Sequence, residues 1–154
     1  MLNIPNGKDL YNKYNSNIPF PHITIDNFFP EGILRNVYQS LSQISPKDWG
    51  CDELEWIQPY QQNKFQLNDK VGLYYPPVAR DLIKLLNSEF IVNFLQDLTG
   101  ISNLVIDPTY SGGGVHKITK GGKLNVHTDY GKHPELENLY RRINLLLYYD
   151  LLIW

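Results

Sequence analysis

The stretch GGGVHKITKGGKLNVHTDYGKHPELENLYRRINLLLYYD, Gly112 to Asp150, decides how this chain is read. At its centre stands His127-Thr128-Asp129. Leu124, Val126 and Thr128 alternate with Lys123, Asn125, His127 and Asp129, and period-two alternation is the signature of a strand. The spacing predicts that the imidazole and the carboxylate leave one face of one strand, a pleat apart. A neutral imidazole nitrogen and a carboxylate oxygen are two of the three ligands of the 2-His-1-carboxylate facial triad, which leaves metal positions open to other molecules. The plainer reading of His-x-Asp is a polar edge strand whose histidine hydrogen-bonds the nearby acid.

The flanks favour the metal. Leu124-x-x-His127-x-Asp129 follows a glycine-rich approach and leads through a loop, YGKHPELENL, into Arg141-Arg142-Ile143-Asn144-Leu145-Leu146-Leu147-Tyr148-Tyr149-Asp150. Near the other end, IPFPHITIDNFFPEGIL (Ile18 to Leu34) has the pattern P-h-x-x-x-D-x-F-x-P. Together, L-x-x-H-x-D, the loop and R-R-x-N-L-L-x-Y resemble the prolyl 4-hydroxylase-like branch of the Fe(II)/2-oxoglutarate-dependent oxygenases, over roughly residues 18 to 150.

The resemblance implies an α+β fold, with N-terminal helices packed on a partial double-stranded β-helix, or jelly roll. It implies His127 and Asp129 as metal ligands, Tyr148 and Asn144 as cosubstrate-binding residues, and no other catalytic residue. Fe(II), 2-oxoglutarate and, optionally, ascorbate would be the cofactors, acting on a small-molecule or peptidyl substrate. Relative to that family the chain stops early, at Leu151-Leu152-Ile153-Trp154. The distal histidine and the basic residue that pairs with the far carboxylate of 2-oxoglutarate would lie in a missing second half of the barrel. The alternative is a non-catalytic jelly-roll remnant serving as a binding or assembly module. His116 and His133 are weighed as substitutes for the third ligand, and ordinary polar roles are favoured for both. Ending near Tyr149 would expose an apolar strand edge, so self-association or a second polypeptide is expected to cover it.

The composition agrees with a folded protein: 42% hydrophobic and 19% charged over 154 residues, with eleven tyrosines and three tryptophans. A net charge of −2 without a basic block excludes the electrostatic footprint of a nucleic-acid binder. Arg141-Arg142 is expected in the strand or paired with Glu135 and Glu137. No run approaches the roughly eighteen apolar residues of a membrane span. The polar start argues against a signal peptide and for the cytoplasm. Cys51 is the single cysteine, so a free thiol is expected.

The remaining chain divides by pattern. Residues 1–17 are expected to form a flexible arm, and 18–154 a single incomplete domain. His22 and Asp26 share a strand face but are read as surface residues, not as a metal pair. Pro30-Glu31-Gly32 opens a helix with the stripe Ile33, Leu34, Val37, Tyr38, Leu41 and Ile44. Pro76-Pro77 opens a second carrying Val78, Leu82, Leu85 and Leu86. Ser88 caps a third carrying Ile91, Phe94, Leu95 and Leu98, ended by Gly100. Within residues 48–75 the acids Asp52, Glu53 and Glu55 beside Trp49 and Trp56 are read as a solvated loop with aromatic anchors rather than as an active-site acid pair, and the polar run Gln61-Gln62-Asn63 as a segment that a mobile lid could use. Strands are predicted at 104–107, 115–118, 124–129 and 139–150, with a hairpin connection at Thr119-Lys120-Gly121-Gly122. Helices ahead of a run of strands would buttress one face of a sheet.

Overall fold

Asn6 starts the first helix: its Oδ1 accepts from the Lys8 amide at 3.0 Å, Asp9 sits in the first turn and Lys13 in the last. The computed structural model describes residues 4–51, 60–67, 75–111 and 113–149. In chain order it contains α1 (Gly7–Ser16), α2 (Glu31–Ser42), a 3-10 turn (Pro46–Asp48), β1 (Trp49–Cys51), β2 (Gln61–Leu67), α3 (Pro77–Leu86), α4 (Glu89–Thr99) and β3 (His116–Leu124). The class is mixed, with α-helices and an antiparallel sheet ordered β1-β2-β3. Among the described residues no helix is long and apolar enough to cross a membrane.

Contacts divide the chain into two compact units. The first comprises Met1–Ser40, Pro77–Asp107 and Leu147–Trp154; the second comprises Leu41–Pro76 and Pro108–Leu146. In the first, α1 packs on α4, and the contact explains why residue 7 is glycine. A Cβ there would stand 2.7 Å from the Phe94 carbonyl oxygen and 2.9 Å from the Leu98 amide nitrogen. The flexible arm expected over 1–17 is therefore a capped helix for most of its length. A polar composition hid it, because α1 docks through Gly7 and the Tyr11 ring against Gly100 rather than through an apolar stripe.

The other helices follow their sequence signals closely. Ser88 Oγ accepts from the Ile91 amide, and Gly100 ends α4 at φ +73°, where a side chain would be strained. Ile91, Phe94 and Leu98 are buried, as are Ala79 and Leu82 of α3 and Val37 of α2. Full burial of a side chain such as Ile91 contributes roughly 1.5–3 kcal/mol. Ile33 departs from its expected stripe and is exposed. Around His22 the alternation holds: Ile23 and Ile25 are half-buried, while His22, Thr24 and Asp26 are exposed.

The strands depart further from expectation. β2, QQNKFQL, forms the middle of the sheet within the region read as a solvated loop. It therefore interrupts the predicted order of helices first and strands after. No hairpin forms at Thr119-Lys120-Gly121-Gly122. Lys64 pairs with Ile118 and Gln62 with Lys123, so those four residues lie opposite Asn63 as a bulge inside β3. Gly121 takes φ +77° there, and a Cβ on Gly122 would meet the Ile118 side chain at 2.4 Å. Residues 104–107 form no strand. The Asn87 side chain instead bonds both the amide (3.2 Å) and the carbonyl (2.6 Å) of Asp107. β3 ends at Leu124 rather than running on to Asp129, and 139–149 forms only an isolated bridge, Tyr140 to Lys132. Among the described residues the sheet has three strands, against the roughly eight of a jelly roll. The Cys51 thiol, the acids at 52–55, Trp56 and residues 150–154 lie outside what the structure describes.

Candidate metal centre

The last rungs of the sheet position the histidine. Just beyond β3, the Asn125 amide donates to the Tyr60 carbonyl at 2.8 Å, which anchors the backbone at the point where the strand ends. The Asn125 carbonyl in turn lies 2.8 Å from His127 Nδ1. A carbonyl only accepts, so Nδ1 carries the hydrogen and the Nε2 lone pair is left outward. That lone pair faces Asp129 Oδ1 at 3.6 Å. The segment is irregular rather than a strand, yet the two side chains predicted to converge do so. Their side chains are 52% and 37% exposed, so the pair opens to solvent.

The carboxylate is held from behind. Asp129 Oδ2 receives Arg141 Nη1 at 2.8 Å and Asn144 Nδ2 at 2.9 Å. Arg141 is itself constrained: its guanidinium stacks over the Tyr130 ring at 4.1 Å, and Nη2 donates to the Ser111 carbonyl at 3.2 Å. The Tyr130 hydroxyl donates to the same carbonyl. Both ends of the intervening loop are closed by backbone bonds, Arg141 N to Gly131 O and His133 N to Leu139 O, each 2.8 Å. This closure brings Asn144 to a residue fifteen positions earlier.

His133 braces the loop from inside. It is buried, its Nδ1 accepts from the Glu135 and Leu136 amides at 3.0 and 2.9 Å, and Nε2 therefore donates to Thr109 Oγ1 at 3.2 Å. Both ring nitrogens are committed, so this histidine is no third ligand. His116 lies on β3 opposite Gln66. Although its side chain reaches solvent, partial desolvation and then the Lys64 ammonium hold its pKa below the usual histidine value.

Of the predicted site residues, His127 and Asp129 meet directly, and Asn144 joins them through the Asp129 carboxylate rather than as a free cosubstrate donor. Tyr148 belongs to the other compact unit and is exposed. Arg142, Asn144, Leu146 and Tyr148 share a parity expected to line a barrel interior. All four are exposed, because no second sheet faces them among the described residues. Arg141 pairs with Asp129 instead of Glu135 or Glu137. Its role, with Tyr130 and Ser111, escaped sequence reasoning; the adjacency of Tyr130 to Asp129 was the available signal.

Two neighbouring donors on one first-row cation, each at about 2.0–2.2 Å, stand about 3 Å apart. The gap between Nε2 and Oδ1 is 3.6 Å, wider than that. A tautomer fixed by a carbonyl and a carboxylate held by outer donors are the usual supports of metal ligands. His127 and Asp129 thus offer two donors, short of the three protein ligands of a facial triad. Among the described residues no group of three or more histidine, cysteine or acidic side chains is placed to hold an ion. In comparisons with known proteins, no family model, curated protein or solved structure matches this chain.

Proposed function

We propose that this chain is an Fe(II)/2-oxoglutarate-dependent dioxygenase of prolyl 4-hydroxylase-like type, built on a partial double-stranded β-helix and acting in the cytoplasm. His127 and Asp129 are its protein ligands. The observation that carries the reading is the approach of the His127 Nε2 lone pair to Asp129 Oδ1 at 3.6 Å, with the tautomer already set by Asn125. Two electron-rich atoms face each other favourably only when positive charge lies between them. A proton on Nε2 or a metal ion satisfies that condition, and the open, solvent-facing setting suits exchange of either.

Fe(II) held by His127 and Asp129 would supply the chemistry by which dioxygen oxidatively decarboxylates 2-oxoglutarate to succinate and carbon dioxide, one oxygen atom entering succinate and the other a substrate C–H bond. The chain's own residues do the holding. Asn125 keeps the imidazole in its ligating form, and Arg141 and Asn144 orient the carboxylate. The substrate is a small molecule or a peptidyl side chain, and ascorbate serves as an optional reductant.

A second reading is favoured by His133, whose two ring nitrogens are spent on the loop: a non-catalytic jelly-roll module that keeps the half-site. Anaerobic Fe(II) titration followed by a succinate assay under oxygen separates the two. The dioxygenase reading expects Fe(II) binding, succinate release, and loss of both in Asp129→Asn. Binding without succinate selects the module, and failure to bind Fe(II) removes the metal site altogether.

A further inference from the structure

Asn6-Gly7 is the single asparagine–glycine pair in the chain, and it stands at the joint where α1 begins. Asparagine before glycine is open to an intramolecular reaction, because glycine places no Cβ beside its own backbone nitrogen. That nitrogen, once it has given its proton to solvent, attacks Asn6 Cγ. The side-chain amide nitrogen takes up a proton and leaves as ammonia, and a succinimide ring spans the two residues. Water then adds to one ring carbonyl. Opening on one side gives aspartate. Opening on the other gives isoaspartate, in which the main chain runs through the former side chain and is one carbon longer.

The structure holds Asn6 off this path, although the residue is exposed and water reaches it. Its Oδ1 accepts from the Lys8 amide at 3.0 Å, which ties the side chain to the turn beyond. Its backbone sits at φ −71°, ψ 122°, whereas a five-membered ring needs the Gly7 nitrogen nearly eclipsed with the Asn6 Cβ, a different setting of ψ. Gly7 is not free to turn and meet it. It is wedged against the α4 backbone, Lys8 Nζ lies 3.9 Å from Asp97 Oδ1, and the Tyr11 ring lies against Gly100. The rotation therefore falls on Asn6 and the half-buried Ile4 and Pro5 before it, and it breaks the cap.

We propose that Asn6 is a gated deamidation site: the closed cap keeps it intact, each opening exposes it, and conversion is one-way. The two products act oppositely on α1. Aspartate caps as well as asparagine and adds negative charge at the positive end of the helix. Isoaspartate removes the acceptor from the Lys8 amide and re-routes the chain entering the helix, so the first turn frays and Gly7 loosens on α4. The proposal is independent of the metal reading.

The test incubates the full chain at neutral pH, native and unfolded in urea. Mass spectrometry of the N-terminal peptide follows conversion of Asn6, and labelling by a protein isoaspartyl methyltransferase isolates the isoaspartyl fraction. Expected is conversion at least about tenfold slower in the native chain, as for a reaction that proceeds only from a locally opened state. First-turn amides of α1 should exchange with solvent faster in the isoaspartyl fraction and at the wild-type rate in Asn6→Asp. Equal conversion in native and unfolded chains overturns the gate, and no conversion of Asn6 in the unfolded chain overturns the site. Wild-type exchange in the isoaspartyl fraction, or fraying in Asn6→Asp as large as in that fraction, overturns the opposite action of the two products.

Discussion

His133 and His127 are six positions apart in one loop region and do opposite things with the same ring. In His127 one nitrogen is tied to a carbonyl and the other is left with its lone pair outward. In His133 one nitrogen accepts two backbone amides and the other donates to Thr109. Neither fate can be read from residue type, because it depends on which backbone groups the loop turns inward. Replacing His133 by alanine leaves the Glu135 and Leu136 amides without their ring acceptor in a part-buried setting. The expected cost is about 1–3 kcal/mol. Thermal melting of His133→Ala should show a lower midpoint, and the two amides should exchange with solvent faster than in the wild type. Unchanged exchange at both positions would show that the ring is not their partner in solution.

At the scale of elements, helices were more legible than strands, although the strand expected at 115–118 is the start of β3. α4 combines a cap, a stop signal and an apolar stripe, and α2 and α3 each a proline start and a stripe, so several independent local cues agree. α1 has good caps but little apolar surface, and its docking rests on the Tyr11 ring and on the missing side chain of Gly7. Gly7→Ala gains helix propensity of up to ~1 kcal/mol but forces a methyl onto the α4 backbone, an overpacking that costs about 1–3 kcal/mol. Gly32→Ala, in the open first turn of α2 with nothing within 4 Å, gains propensity without that clash. Urea unfolding should therefore rank Gly7→Ala below the wild type and Gly32→Ala at or above it. The strand β2 was missed because QQNKFQL carries almost no apolar alternation. It forms through backbone pairing on both sides, which any non-proline sequence can supply once neighbours arrive. The glycine pair at 121–122 was legible as a break, but a bulge and a hairpin use the same residues, and only the partner strand chooses between them.

For the molecule as a whole, the sheet order leaves β3 at an edge among the described residues, with Ile118 and Leu124 exposed along it. Lys117, Lys120 and Lys123 line the same strand, and charged residues on an edge oppose pairing with another chain. Lys117 also lies over the Trp49 ring, at 5.6 Å. Lys120 and Lys123 are the cleaner pair to change. Lys120→Thr/Lys123→Thr should raise the fraction eluting as higher oligomers in size-exclusion chromatography at high protein concentration. An elution profile matching the wild type at every concentration would mean that these lysines do not guard the edge.

Residue order alone determined the helices α2 to α4 and set His127 two residues from Asp129, because start signals, stripes and short spacings act over a few ångströms of chain. It did not determine that Arg141, Tyr130 and Ser111 gather behind the carboxylate, that His133 is spent as a brace, or that a polar heptapeptide becomes the central strand. Those outcomes are decided by closure of the loop between Gly131 and Arg141 and by strand pairing, in which backbone groups far apart in sequence choose their partners only once the fold has brought them together.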